Sequence, residues 1–103
     1  MKIVISYNNL PIRITDERLL HICTNHPELS NMDVEIENTI VGPDLIQEGD
    51  FGELLALKLY PKTPITENKF LVVVYKEDEN DGFVITAYYT TVYSKRRKIL
   101  WKR

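Results

Sequence analysis

The feature that most constrains the fold is an almost uninterrupted apolar run in the second half of the chain, Lys69–Lys76 (KFLVVVYK). A strand that is apolar on both sides has to be covered on both faces, so this run predicts the central strand of a sheet. The pair Asp81-Gly82 follows and is typical of a tight hairpin turn. Residues 83–93 then alternate between two faces, which predicts an antiparallel partner for the central strand.

Two helices are predicted between about residues 15 and 41. Thr15 is a good N-cap, and two acidic side chains follow it at the positive end of the helix dipole. The first helix should end at His26-Pro27, because the residue before a proline disfavours the α region. The second helix carries an apolar residue at every fourth position, namely Met32, Ile36 and Ile40.

The order of these elements predicts an α+β fold in a single domain, residues 1–103. A short N-terminal strand pair falls in residues 2–14, the sheet in about 45–93, and a basic C-terminal segment in 94–103. Helices that are segregated from strands favour two layers. We therefore expect both helices to pack on one face of a three- to four-stranded antiparallel meander sheet.

Composition excludes several classes of protein. The chain is 44% hydrophobic and 27% charged, unlike a disordered tail, a collagen-like repeat or a membrane protein. Its single cysteine, Cys23, cannot form an internal disulfide, and the first apolar residues are too few for a signal peptide. These features predict a cytoplasmic location. His21 and His26 complete no tetrahedral ligand set, so neither a metal nor another cofactor is expected.

The net charge of −2 is unevenly distributed along the chain. Residues 94–103 (SKRRKILWKR) carry six basic side chains and no acidic one, whereas the preceding residues are acidic overall. Such asymmetry favours a phosphate-rich ligand or an acidic partner. A solvated tail is the alternative, but the apolar triplet that ends at Trp101 indicates that the segment docks on a surface.

Polar side chains on a helix and on a strand are the candidates for chemistry. Arg18 and His21 lie three residues apart and share a helix face, and an imidazole beside a fixed positive charge suits acid–base catalysis. The alternative is that Arg18 pairs with a carboxylate and His21 packs at the edge of the core. Thr86, Tyr88 and Thr90 share one side of the last strand, where they either line a groove or face solvent.

Together these residues predict a site for cleaving RNA without a metal. The reaction needs a base for the ribose 2′-hydroxyl, an acid for the leaving oxygen and cations around the phosphate. Either Tyr88 or Tyr89 could stack an unpaired base. The candidate catalytic residues are His21, His26, Arg18, Thr86 and Tyr88. The candidate RNA-binding residues are Thr90, Ser94, Lys95, Arg96, Arg97 and Lys98.

Four phrases also resemble a known family: ITDERLLHI (14–22), HPEL (26–29), FLVVVYK (70–76) and GFVITAY (82–88). They are similar to small nucleases of the barnase/EndoU/colicin/RelE-like group, especially its phage and bacterial toxin-like branches. The similarity covers residues 12–101 in the order helix, helix, sheet. It implies a metal-independent endoribonuclease that cuts tRNA or mRNA by 2′-hydroxyl attack, with an acidic antitoxin or inhibitor protein as partner.

The motifs of that family fall on the residues already singled out. Its helix motif falls on Arg18, His21 and His26-Pro27, its polar strand on 86–90, and its basic segment on 94–98. Two other functions stay open from the residues alone. One is a non-catalytic module that binds RNA or protein through the same groove and basic segment. The other is a homodimer formed through Trp101 and the tyrosines.

Overall fold

A computed structural model describes all 103 residues and contains seven strands, two α-helices and one short 3₁₀ turn. The strands are β1 Lys2–Ile5, β2 Pro11–Ile14, β3 Leu45–Glu48, β4 Leu54–Lys62, β5 Glu67–Glu77, β6 Gly82–Thr90 and β7 Ile99–Lys102. The helices are α1 Asp16–Asn25 and α2 Asp33–Val41, and the 3₁₀ turn Pro27–Leu29 lies between them.

All seven strands belong to one sheet, in the order β1-β2-β6-β5-β4-β3-β7. Every neighbouring pair is antiparallel except β2 and β6, which are parallel. Strand β5 contains the apolar run and is the fourth of the seven strands. Its residues Leu71, Val72 and Val73 are buried on both sides of the sheet, as a central strand requires.

The fold class expected from the sequence is wrong, because the sheet is mixed and has seven strands rather than a three- to four-stranded antiparallel meander. Strands β4, β5 and β6 do form a meander, but four further strands extend it. Strands β1 and β2 have four residues each, too few to be stable alone, and they join the edge of β6. At the other edge, part of the basic C-terminal segment pairs with β3 as β7.

The main hydrophobic core lies between the two helices and one face of this sheet. Ile22 of α1 and Ile36 and Ile40 of α2 are fully buried in it, against Val73 and Ala87 of the central strands. The side chain of Thr15 accepts a hydrogen bond from the Arg18 amide, which confirms the predicted start of α1. Neither helix is long and apolar enough to cross a membrane.

A smaller cluster occupies the opposite face of the sheet. Leu45, Leu57 and Val72 lie opposite one another across β3, β4 and β5, and Tyr88 of β6 continues the row. Residues 91–98 connect β6 to β7 at the far edge, and we call them the crossover. Because Tyr93 packs on this second cluster, the crossover passes over the face that the helices leave free.

A β-bulge in β6 changes which of its residues share a face. Val74 lies opposite Thr86, whereas Tyr75 lies opposite Val84, so Ile85 is an extra residue without a partner. Val84 and Ala87 therefore both point into the helix-side core. The strict alternation expected over residues 83–93 holds only beyond the bulge.

Candidate nucleic-acid interface

A groove of about 400 Å³ lies on the sheet face away from the helices. Its floor is aliphatic and consists of Leu55, Leu57 and Val72 from the two central strands. One wall is the polar edge of β6, with Tyr88 and Thr90, and the other wall is the crossover. The strand residues lie there because the period-two alternation of β4, β5 and the outer half of β6 points them to the same side.

Contacts with the sheet hold the crossover in place as a wall of this groove. The ring of Tyr93 meets the ring of Phe70 edge-on, with centroids 5.6 Å apart. Gln47 of β3 is 1% exposed, and its Nε2 donates a hydrogen bond of 2.7 Å to the Ser94 carbonyl. These contacts fix the backbone direction of the basic residues that follow.

A second depression of about 460 Å³ adjoins the groove, and we call it the basin. It is polar throughout, with a lining of Glu48, Gly49, Asp50, Ser94, Arg96, Arg97 and Lys98. Ser94 and Arg97 line both depressions, so the groove and the basin are continuous. Their shared border is a serine and a cation rather than an apolar ridge.

The cations around the basin are not equally free. Arg97 forms an ion pair with Asp50 at 3.0 Å and also donates to the Glu48 carbonyl, so it is a structural cation. The ammonium of Lys95 lies 4.2 Å from the centre of the Tyr93 ring, which is cation–π distance. Arg96 and Lys98 are exposed and have no ion-pair partner, so they are available to an anionic ligand.

Most of the expected RNA-binding residues therefore lie together. Thr90, Ser94 and Arg97 line the groove, and Arg96 and Lys98 line the basin. Thr86 lies two residues before Tyr88 in β6 and points to the same face of the sheet. Tyr89 points the other way, into the helix-side core, where burial raises the pKa of its hydroxyl. Only Tyr88 of this tyrosine pair faces the groove.

Arg18 and His21 lie elsewhere. They border a separate shallow depression on the exposed side of α1, together with Glu17, Leu20 and Thr24. The imidazole of His21 makes a hydrogen bond of 3.1 Å with the Asn25 side-chain amide on its own helix. Neither Arg18 nor His21 lines the groove, and neither Thr86 nor Tyr88 lines this depression, so the structure does not assemble the full candidate catalytic set.

His26 occupies a different position from His21. It caps α1, where its backbone N–H donates to the Ile22 carbonyl at 2.8 Å. Its ring is tilted by 36° against the ring of Tyr88, with centroids 6.4 Å apart. The outer half of β6 has no neighbouring strand beyond it, since β2 pairs only near Gly82. His26 is therefore the histidine that approaches the groove wall.

Two residues that build the interface were not expected from the sequence, namely Gln47 and Tyr93. Gln47 is the only polar side chain in a buried stretch of β3, and a polar residue between apolar ones is the signal that could have singled it out. Tyr93 anchors the crossover to Phe70, but nothing local distinguishes it from the other tyrosines. No three His, Cys, Asp or Glu side chains cluster in a way that could hold a metal ion.

No protein-family model matches the chain, and neither a curated protein nor a solved structure matches it.

Proposed function

We propose that this protein binds single-stranded RNA along the groove and the basin. The observation that carries the proposal is the position of the basic crossover, which forms one wall of a groove whose other wall contains Tyr88 and Thr90. An aromatic ring beside hydroxyls and cations suits a nucleic-acid single strand, whose bases stack on the ring while its phosphates meet the cations. A duplex hides its base faces and fits this arrangement less well.

The charge distribution supports the same assignment. The chain as a whole is acidic, with a net charge of −2, so most of its surface repels an RNA strand. Arg96 and Lys98 are free of ion pairs and lie at one site. An RNA strand is thus attracted to the crossover and disfavoured elsewhere, which favours one binding path over a diffuse coat.

The test compares two double variants with equal net charge. Arg96→Ala/Lys98→Ala removes the free cations of the basin. Lys2→Ala/Lys62→Ala is the matched control, because neither lysine lines the groove or the basin. The control loses only the exposed ion pair between Lys2 and Glu37, which contributes little to stability. Binding is measured by fluorescence anisotropy of a labelled single-stranded RNA of about 10 nucleotides, over a series of salt concentrations.

We expect the parent and the control to bind with the same affinity and the same salt dependence. The basin variant should bind more weakly, and the slope of log affinity against log salt should fall by about 1.4, because two phosphate contacts are lost. Equal weakening by both double variants would show that net charge alone attracts RNA. A parent that does not bind single-stranded RNA at low salt would overturn the proposal.

The contact between His26 and Tyr88 favours a second candidate function, metal-independent cleavage of the bound RNA. In this reaction His26 takes the proton of a ribose 2′-hydroxyl, and the 2′-oxygen attacks the adjacent phosphorus. The bond from phosphorus to the 5′-oxygen breaks, and that oxygen takes a proton from water, whose hydroxide then removes the proton from His26. The products are a 2′,3′-cyclic phosphate and a free 5′-hydroxyl. A cytoplasmic location and an acidic inhibitor protein over the crossover would accompany this activity.

Cleavage is tested by incubating the protein with total tRNA and with an unstructured RNA in excess EDTA. We expect cutting by the parent and by His21→Ala, and loss of cutting in His26→Ala. Loss in His21→Ala instead would move the site to the exposed face of α1. Intact RNA in every lane, with each protein shown to be folded, would leave RNA binding without turnover.

A further inference from the structure

The loop between β3 and β4 presents an apolar ring to solvent. Phe51 is 86% exposed, more than any other large hydrophobic residue of the chain. Burial of a phenylalanine side chain stabilises a protein through the hydrophobic effect, and this ring forgoes that contribution. A ring this exposed leaves its face open to a stacking ligand.

The loop holds Phe51 outward through its own hydrogen bonds. The Phe51 N–H donates 2.7 Å to the Glu53 carboxylate, and the Gly49 N–H donates 2.8 Å to the Glu53 carbonyl. Gly52 has φ = +86°, a left-handed conformation that glycine adopts without strain. The ring is thus displayed by an ordered turn, and a rigid ring loses little conformational entropy when a ligand stacks on it.

The same loop is joined to the basic crossover. Asp50, the residue before Phe51, pairs with Arg97 through two contacts of 3.0 and 3.4 Å. Asp50 and Gly49 also line the basin, opposite Arg96 and Lys98. Phe51 does not line the basin itself, but its Cα lies about 3.8 Å from that of Asp50, so the residue is next to the rim.

We propose that Phe51 and the basin form a nucleotide subsite. A nucleobase stacks on the Phe51 ring while the phosphate of the same strand contacts Arg96 and Lys98. The subsite rests on the proposed function and extends it, since a strand that enters at Tyr88 crosses the shared border at Ser94 and Arg97 and ends at Phe51. The interface then has an aromatic platform at each end and cations between them.

The experiment replaces Phe51 by three side chains and uses the same labelled single-stranded RNA of about 10 nucleotides. Phe51→Ala removes the ring, Phe51→Leu keeps an apolar side chain without a ring, and Phe51→Trp keeps a stacking surface. Val34→Ala, on the exposed side of α2, is the control for loss of an exposed apolar group. Thermal unfolding of every variant checks that the fold is retained.

We expect Phe51→Ala and Phe51→Leu to weaken RNA binding about 5-fold or more, which corresponds to one lost stacking contact. Phe51→Trp and Val34→Ala should bind like the parent. A 2-aminopurine placed in the bound RNA should be quenched by the parent and by Phe51→Trp, and less by Phe51→Leu.

The outcomes separate the two proposals. If the parent binds RNA and Phe51→Ala binds it equally well, the subsite is wrong and the proposed RNA binding stands. If Phe51→Leu binds like the parent, the contact is apolar and no base stacks there. If the parent binds no RNA, both proposals fail together. Self-association of the parent that Phe51→Ala abolishes, with RNA affinity unchanged, would assign the ring to a contact between copies of the chain.

Discussion

The rings of Tyr7 and Trp101 pack together with centroids 5.4 Å apart, although they belong to opposite ends of the sheet order. Tyr7 follows β1, and Trp101 lies in β7. Trp101 lies opposite Ile46 in the neighbouring strand β3, and both side chains point to the side of the sheet that the helices cover. The turn after β1 therefore reaches across that face and joins the two edges. Because Trp101 packs within its own chain, less of its ring is available for the homodimer contact that was one of the alternatives from the sequence.

Removal of this aromatic contact should loosen β7. Trp101→Ala is expected to lower the free energy of unfolding by about 1–3 kcal/mol, because a half-buried indole and a ring pair are lost. Leu100→Ala, at an exposed neighbour, should change it by about 0.5 kcal/mol or less. Urea unfolding of both, with a double-mutant cycle that includes Tyr7→Ala, measures the coupling between the rings. A coupling energy near zero would contradict the proposed role of the pair.

The parallel junction of β2 and β6 depends on Gly82. A Cβ at this position would collide with the Lys76 carbonyl oxygen and come within 2.8 Å of Ile12 Cδ1. Gly82→Ala should therefore destabilise the protein by about 1–3 kcal/mol, as overpacking does. Gly42→Ala is the control, since its Cβ would lie 3.8 Å from the nearest atom, the Asn38 carbonyl oxygen. Equal unfolding midpoints for the two variants would show that β5 and the Ile12 side chain can move away from position 82 without cost.

The hydrogen bond from Gln47 to the Ser94 carbonyl should keep the crossover in place as a wall of the groove. Gln47→Met keeps the length of the side chain but removes the donor, which should cost about 1–3 kcal/mol. Hydrogen exchange of the crossover amides should become faster. Ser94→Ala keeps the carbonyl and loses only the hydroxyl that accepts a hydrogen bond from the Arg96 amide. Its crossover amides should therefore exchange at rates closer to those of the parent than the amides of Gln47→Met do. Unchanged exchange in Gln47→Met would mean that other contacts hold the crossover.

Local sequence patterns were sufficient for part of this fold. The run Lys69–Lys76 predicted the central strand, and Thr15 predicted the start of α1, because burial on both faces and N-capping each depend on a few adjacent residues. The parallel pairing of β2 with β6 joins residues about 70 positions apart, and it depends on the space that Gly82 leaves for Ile12. No periodicity in the sequence encodes such a contact.

In the candidate site, too, local patterns predicted what depends on one strand and not what depends on contacts between distant residues. Two-residue spacing correctly placed Thr86, Tyr88 and Thr90 on one face, because alternation is a property of the strand itself. Which histidine approaches that face depends on where α1 ends relative to β6. His26 meets Tyr88 and His21 does not, and only the packing of the helix on the sheet decides this. The crossover could not be located from the sequence, since its path is set by Tyr93 and Gln47.

Tyr75 is fully buried, and its hydroxyl has no hydrogen-bond partner. Burial, together with the nearby Glu77 carboxylate, raises the pKa of this hydroxyl well above its ordinary value of 10.0. Above about pH 10 the hydroxyl ionises in the unfolded chain but stays protonated in the folded one. The folded state then holds the extra proton, so its stability is intact below pH 10 and falls as the pH rises further.

Tyr75→Phe removes the unpaired hydroxyl and keeps the ring. At neutral pH the variant should be as stable as the parent or about 1 kcal/mol more stable, because no buried polar group is left without a partner. Above pH 10 its stability should decline less steeply with pH than that of the parent. Urea unfolding at neutral pH and at several values above pH 10 measures both effects. Lys2, whose pKa is raised by its hydrogen bond to Glu37, titrates in both proteins, so the difference between them isolates Tyr75. A variant that is clearly less stable at neutral pH would show that the hydroxyl has a partner.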